Sequence, residues 1–181
     1  MFIEAWNLPL VEACRATWPN AHWPHWHKYA DQNSIKYATK DPDRLNPAAK
    51  MLIQRMADLP VEAGWFPDLD LHGAGMHWIP EGGHLERHLD GQVHPLNGWY
   101  RKANAILFLD HCEGGELCVE GLEPIHPQPG KLVMFAADQW HEVRKVVSGN
   151  RRSLSLFWWS LKGEGVREGA LFAPTRSQHT D

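Results

Sequence analysis

From about residue 72 onward, the sequence is a series of short β-prone runs separated by glycine and proline. In order, the runs read GAGMHWI, HLERHLD, ANAILFLD, GELCVEGL, KLVMFAA, HEVRKVV and RRSLSLFWWSL. Runs of this length, rich in β-branched and aromatic residues and ended by turn-forming residues, are typical of antiparallel sheets. The pattern predicts a β-sandwich or a barrel-like double sheet around one core.

The first 70 residues have a different character and predict helices. The run NPAAKMLIQRMADLP places Asn46 where it can cap a helix and Pro47 in the first turn, with an apolar stripe behind them. An earlier run, LPLVEACRATW, has similar helical periodicity. We therefore expect a mainly β protein with N-terminal helices. No linker or repeat is visible, so we expect a single domain over 1–181, with helical support over 1–70, a catalytic β-unit over 72–162 and a C-terminal appendage over 163–181.

Composition excludes several classes of protein. A net charge of -4 argues against duplex nucleic acid as a partner, because binding phosphates needs clustered Lys and Arg. No apolar run is long enough to predict a membrane span, and the N-terminus MFIEAWNLPL has no basic segment. The three cysteines form no CxxC pair, which favours free thiols in a reducing compartment. We therefore expect a cytoplasmic protein without a membrane partner.

The segment HLERHLDGQ contains a concentration of possible metal ligands at residues 84–92. His84 and His88 have the spacing of a helical zinc motif, but that motif needs Glu directly after the first His, and here Leu85 stands there. On a strand, by contrast, His88 and Asp90 share one face, about 6.5–7 Å apart at their Cα atoms. The strand interpretation therefore predicts that these two side chains converge on one ion.

A third ligand must come from elsewhere in the chain, and His141 is the best candidate because it opens another β-prone run. Two imidazoles and one carboxylate with open positions suit non-haem Fe(II). Ten residues later stands Arg151, followed on the same strand face by Ser153, whereas Arg152 is expected to be a solvated surface charge. A buried guanidinium needs a carboxylate, which either a neighbouring strand or a bound ligand could supply.

Together these motifs resemble the Fe(II)- and 2-oxoglutarate-dependent dioxygenases, in particular their prolyl 4-hydroxylase-like branch. The matching segments are HLD at 88–90, GGEL at 114–117, PGKLVMF at 129–135 and HEVRKVVSGNRRSLSLFW at 141–158. The resemblance covers about residues 72–160, and its ordered set of motifs is more specific than any one of them. It implies a double-stranded β-helix, or jelly roll, supported by the N-terminal helices.

The resemblance also implies roles for the site residues. His88, Asp90 and His141 would hold Fe(II), and 2-oxoglutarate would chelate the metal while its far carboxylate meets Arg151 and Ser153. With O2, and ascorbate as a reductant, such an enzyme hydroxylates a substrate C–H bond and releases succinate and CO2. The expected substrate is an amino acid, a peptidyl (for example prolyl) side chain or another small molecule.

One position departs from the family pattern. Many relatives carry a Tyr whose hydroxyl helps to hold the far carboxylate, and this chain has Phe108 there. Oxoacid binding would then depend more on Arg151, Ser153 and Asn104, and upstream the sequence MHWIP offers His77 or Trp78.

The N-terminal run HWPHWHKYA, residues 22–30, is a second cluster of His and Trp. Metal binding is possible for such a cluster, but the interleaved Trp and Pro favour aromatic packing. The resemblance adds a further alternative, in which this part of the chain forms a lid over the iron.

Two alternatives to an oxygenase remain open from the sequence. A cupin-like metal-binding protein or isomerase would use the same β-scaffold without 2-oxoglutarate, but it would have no need of Arg151. A non-catalytic interaction module would keep the ligands and lose the activity, and Phe108 is the one hint of that.

Overall fold

The computed structural model describes residues 2–6, 8–31, 34–39, 42–69 and 75–161; the expected C-terminal appendage at 163–181 lies outside them. The helices are α1 (Leu8–Ala16) and α2 (Pro47–Ala57), with a 3-10 turn at Pro42–Arg44. The strands are β1 (Phe2–Ala5), β2 (His27–Asp31), β3 (Ser34–Thr39), β4 (Phe66–Pro67), β5 (Gly75–Pro80), β6 (Leu85–His88), β7 (Tyr100–Phe108), β8 (Glu113–Gly114), β9 (Leu117–Val119), β10 (Lys131–Ala136), β11 (His141–Val143), β12 (Val146–Ser148) and β13 (Asn150–Ser160).

Among the described residues the strands form one large antiparallel sheet and two small ones. The large sheet has the order β1-β10-β7-β13-β5-β3-β2, with β4 paired to β13. The small sheets are β6-β11-β9 and β12-β8. The prediction of a mainly β protein with N-terminal helices is therefore confirmed. Both predicted helices are present, and Asn46 caps α2 by accepting a hydrogen bond from the backbone N–H of Ala49 at 2.7 Å.

The N-terminal segment contributes strands that the sequence did not predict. Residues 1–70 contain β1 to β4 as well as the helices, so this segment is more than helical support. The hairpin of β2 and β3 extends the large sheet through β5, and β1 pairs with β10. These strands lack a clear alternation of apolar residues, because their stability comes from partners far away in the sequence.

Two cores lie on opposite faces of the large sheet. The outer core joins the sheet to the helices, and the alternating residues Leu154, Leu156 and Trp158 of β13 are fully buried in it. The inner core fills the space between the large sheet and the small ones, and includes Phe108 and Val143. Alternation along β13 therefore turns Arg151, Ser153 and Ser155 toward the inner space.

Arg152 is not the solvated surface charge that the sequence suggested. Its Nε and Nη2 donate to the two oxygens of Asp110 at 2.6 and 2.8 Å, and Asp110 is 4% exposed. Nε of Arg15, in α1, lies 3.0 Å from the same carboxylate. This pair of arginines on one buried acid fastens α1 to the sheet.

None of the helices in the described ranges is long and apolar enough to cross a membrane.

Candidate metal centre

The three predicted metal ligands converge at one end of the inner space. The ligand atoms of His88, Asp90 and His141 all lie within 4.8 Å of one another. Nε2 of His88 is 3.8 Å from Oδ1 of Asp90, and Nε2 of His141 is 3.6 Å from Oδ2. His88 ends β6 and His141 begins β11, and the two residues are paired across the sheet with ring centroids 4.4 Å apart.

A β-bulge in β6 places His88 on the inner face. Pairing steps from His141–His88 to Val143–Leu85, so β6 has one residue more than β11 over this stretch. In a regular strand, Leu85 and His88 would point to opposite faces, because side chains alternate. With the bulge, Leu85 packs into the inner core while His88 faces the other ligands.

Backbone contacts fix both imidazoles for metal binding. Nδ1 of His88 lies 2.6 Å from the carbonyl oxygen of Glu86, and Nδ1 of His141 lies 3.1 Å from that of Gln139. Each carbonyl favours the tautomer with the proton on Nδ1, which leaves Nε2 with a lone pair for a metal. Burial lowers the pKa of His141 below its ordinary value, although Asp90 opposes the effect, so this ring is held in the neutral form that ligates.

Two side chains of β7 contact the carboxylate of Asp90. Nη1 of Arg101 lies 2.9 Å from its Oδ2, and Nδ2 of Asn104 donates to the same oxygen at 3.2 Å. A second bulge makes this possible, since Trp158 pairs with Ala103 and Trp159 with Arg101. The extra residue in β7 brings Arg101 to the face of Asn104. Sequence reasoning missed Arg101, and it placed Asn104 with the oxoacid.

Arg151 lies on the inner face without a carboxylate partner among the described residues. Its side chain is buried, its Nε donates to the carbonyl oxygen of Gly115 at 2.8 Å, and its Cζ lies 4.9 Å from the ring centroid of Phe108. Nη2 is buried and has no hydrogen-bond partner. Burial lowers the pKa of Arg151 to about 10.

The residues around Arg151 leave few polar groups for a ligand. Ser153 is buried on the same face of β13 and is paired in register with Phe108 on one side and His77 on the other. His77 reaches Oγ of Ser155 at 3.3 Å through its Nε2. Of the two upstream candidates, His77 therefore faces inward, whereas Trp78 lies on the opposite face of β5.

The N-terminal His and Trp residues are packed together. Trp26 lies 5.9 Å from Trp18 and 5.2 Å from Trp23 between ring centroids, and Trp78 extends the group at 6.4 Å. His25 contacts the edge of Trp23 at 5.0 Å. The contacts agree with aromatic packing, while the role of this segment as a lid stays a prediction.

Comparison with known proteins relates this fold and site to one superfamily. The model of the 2OG-Fe(II) oxygenase superfamily matches residues 74–159. A PKHD-type hydroxylase of Pseudoalteromonas atlantica is 33% identical over 87 residues, which are 42% of this chain and 38% of that hydroxylase. The chain thus spans well under two thirds of the length of this relative.

Solved structures show the same fold at low sequence identity. A prolyl-4-hydroxylase of Pseudomonas putida superposes with a TM-score of 0.64 and 20% identity, covering 89% of this chain and 92% of that one. HygX of Streptomyces hygroscopicus, solved with nickel, 2-oxoglutarate and hygromycin B, has a TM-score of 0.57 and 12% identity, covering 87% of this chain and 81% of that one. The predicted double-stranded β-helix is therefore confirmed. Over residues 74–159, the chain is therefore similar to the 2OG-Fe(II) oxygenase superfamily.

Proposed function

We propose that this protein is an Fe(II)- and 2-oxoglutarate-dependent dioxygenase that hydroxylates a substrate C–H bond. The observation that carries the proposal is the buried guanidinium of Arg151. It lies on the same inner face as a cluster of two imidazoles and one carboxylate, and no carboxylate pairs with it among the described residues. We assign the catalytic unit to residues 72–162, with 1–70 in support.

The ligand set fits a ferrous ion. Two neutral imidazole nitrogens and one carboxylate are donors of intermediate hardness, and three protein ligands leave positions open for other molecules. Each Nδ1 contacts a backbone carbonyl oxygen, which favours the tautomer that leaves Nε2 free for a metal.

The surroundings of Arg151 fit the far carboxylate of 2-oxoglutarate. Its Nη2 is a buried donor without a partner, and such a donor costs about 1–3 kcal/mol until an acceptor arrives. A carboxylate matches the planar fork of a guanidinium. Ser153 stands two residues along the same face and is the second donor in the proposal. With Phe108 as an apolar wall, we expect the pocket to select for the carboxylate through Arg151 more than through hydroxyl groups.

Each residue then has a defined task. His88, Asp90 and His141 would hold the metal, and Arg151 would orient the co-substrate by its far end. When bound, Fe(II) supplies the O2 chemistry that couples oxidative decarboxylation of 2-oxoglutarate to hydroxylation. The inner core, with Phe135 5.1 Å from the ring of His141, limits water access on the buried side of the ligands.

We propose an amino acid, a peptidyl (for example prolyl) residue or another small molecule as the substrate. The prolyl-4-hydroxylase of Pseudomonas putida supports the first two choices by its name, and the hygromycin B complex of HygX supports the third. Cytoplasmic location is part of the same proposal, supported by the free state of Cys14, Cys112 and Cys118.

A cupin-like metal protein without 2-oxoglutarate is the second candidate. Such a protein would share the group of two imidazoles and one carboxylate and the β-scaffold. It would have no use for a buried guanidinium without a carboxylate partner. Arg151 therefore favours the oxygenase.

Succinate release from 2-oxoglutarate, measured with Fe(II) and ascorbate, tests the proposal. Calorimetric titration of 2-oxoglutarate into the Mn(II)-loaded protein tests binding separately from turnover. We expect both to need His141 and Arg151, and we expect an exposed-residue control, Arg55→Ala, to behave as wild type. Metal-independent oxoacid binding, or equal binding by Arg151→Ala and wild type, would refute the assignment.

A further inference from the structure

We infer that Arg101 is the positioning residue of the metal centre, fixing the carboxylate of Asp90 in the place where it completes the site. The inference rests on the proposed metal site and goes beyond it. Arg101 touches neither substrate nor co-substrate in this assignment, and it acts through Asp90.

The guanidinium of Arg101 is itself immobilised on several sides. Its Cζ lies 3.8 Å from the ring centroid of Phe157 and 4.8 Å from that of Trp159, and its Nη1 lies 2.9 Å from Oδ2 of Asp90. Its side chain is only 9% exposed. An arginine that lies over two aromatic rings and pairs with a carboxylate has few alternative rotamers, so the carboxylate is also restricted.

A second carboxylate, that of Asp68, also stabilises the positive charge of Arg101. Asp68 is 8% exposed, accepts a hydrogen bond from Nε1 of Trp159 at 3.0 Å and lies 3.3 Å from Nε2 of His94. Arg101 therefore has the partly exposed carboxylate of Asp90 as its direct partner and the buried carboxylate of Asp68 within its electrostatic reach. The arrangement extends the metal centre to β4 and to the loop after Asp90.

The position of Asp90 explains why such a device is needed. Asp90 lies beyond the end of β6, where no strand pairing fixes its backbone, and its side chain is 26% exposed. A loop carboxylate would sample several orientations without a partner. The contacts from Arg101 and Asn104 restrict it to the orientation that faces the two imidazoles.

Cobalt titration tests the inference without relying on catalysis. Co(II) affinity, followed by visible absorption and calorimetry, is compared for wild type, Arg101→Met, Arg101→Lys and the exposed control Arg144→Met. Removal of an outer partner of a metal ligand lowers affinity by about 10–100-fold. We expect that loss for Arg101→Met, a smaller loss for Arg101→Lys, and a change below about twofold for the control.

The double variant Asp68→Asn/Arg101→Met separates positioning from charge balance. It removes both buried charges and so protects the fold where the single replacement leaves two acids uncompensated. A persistent 10–100-fold loss of Co(II) affinity supports the inference. Wild-type affinity in either Met variant would overturn it. Failure of the oxygenase proposal would look different, because wild type would bind Co(II) and yet not bind 2-oxoglutarate.

Discussion

Replacing Arg151 with methionine should make the protein more stable and, at the same time, weaken its binding of the proposed co-substrate, 2-oxoglutarate. The guanidinium is fully buried and lacks a carboxylate partner among the described residues, so it lowers the stability of the protein on its own. Methionine fills a similar volume without a charge and can adapt its shape to the site. A substitution that raises the free energy of unfolding and weakens ligand binding indicates that the charged side chain serves the ligand and not the fold.

The magnitude follows from the surroundings of the side chain. A pKa lowered to about 10 by burial corresponds to roughly 3 kcal/mol of lost solvation. Against this, the variant loses the hydrogen bond to Gly115, worth about 1 kcal/mol, and the contact with Phe108, worth about 1 kcal/mol. The net gain is about 1 kcal/mol, or a rise in Tm of about 2–4 °C for a domain of this size.

Thermal unfolding of the metal-free protein, with and without Mn(II) and 2-oxoglutarate, measures both effects. Wild type should be stabilised by the added pair. Arg151→Met should start higher and respond much less, because losing a bidentate pair worth about 2–3 kcal/mol raises Kd about 30- to 150-fold. A variant less stable than wild type by more than about 1 kcal/mol would mean that an internal group already compensates the charge, and the reasoning would fail.

Three further outcomes follow from individual contacts. Gly115→Ala should reduce 2-oxoglutarate affinity by at least tenfold in the same calorimetric titration, because φ is +69° there and an added Cβ would lie 3.2 Å from Cδ of Arg151. Asp110→Ala should destabilise the protein by about 3–5 kcal/mol in urea unfolding, since it leaves the guanidinium of Arg152 uncompensated, whereas unchanged stability would contradict the role of that ion pair. Burial raises the pKa of Cys14 to about 11, so at pH 8 its labelling by iodoacetamide, followed by peptide mass spectrometry, should be about 100-fold slower in the native than in the urea-unfolded chain.

The proposed metal ligands were accessible to sequence reasoning because their signal is local. His88 and Asp90 are two residues apart, and the strand period alone puts them on one side of the chain. His141 and Arg151 follow at the spacing that the family resemblance implies. Alternation likewise distinguished Arg151 from its neighbour, although it could not reveal that Arg152 would find Asp110 below α1.

Contacts between distant segments were not accessible. Arg101 becomes part of the site through a bulge, and no residue type in YRKAN marks that irregularity. Asp68 and His94 meet only because β4 pairs with the end of β13. The unpredicted strands β2 and β3 have the same origin, since a hairpin added to a sheet edge needs little apolar alternation of its own.

The extra residue in β6 determines the direction in which the imidazole of His88 points. Leu85 and His88 are three residues apart, so a regular strand would point their side chains to opposite faces. The bulge is what points both of them to the inner face. Loss of one codon between them would leave a separation of two residues, so a regular strand without a bulge would point both side chains to the inner face. A descendant of this chain could thus lose the bulge in one step and keep the orientation of the imidazole, and frame-preserving deletions in related genes are where such regular strands should be sought.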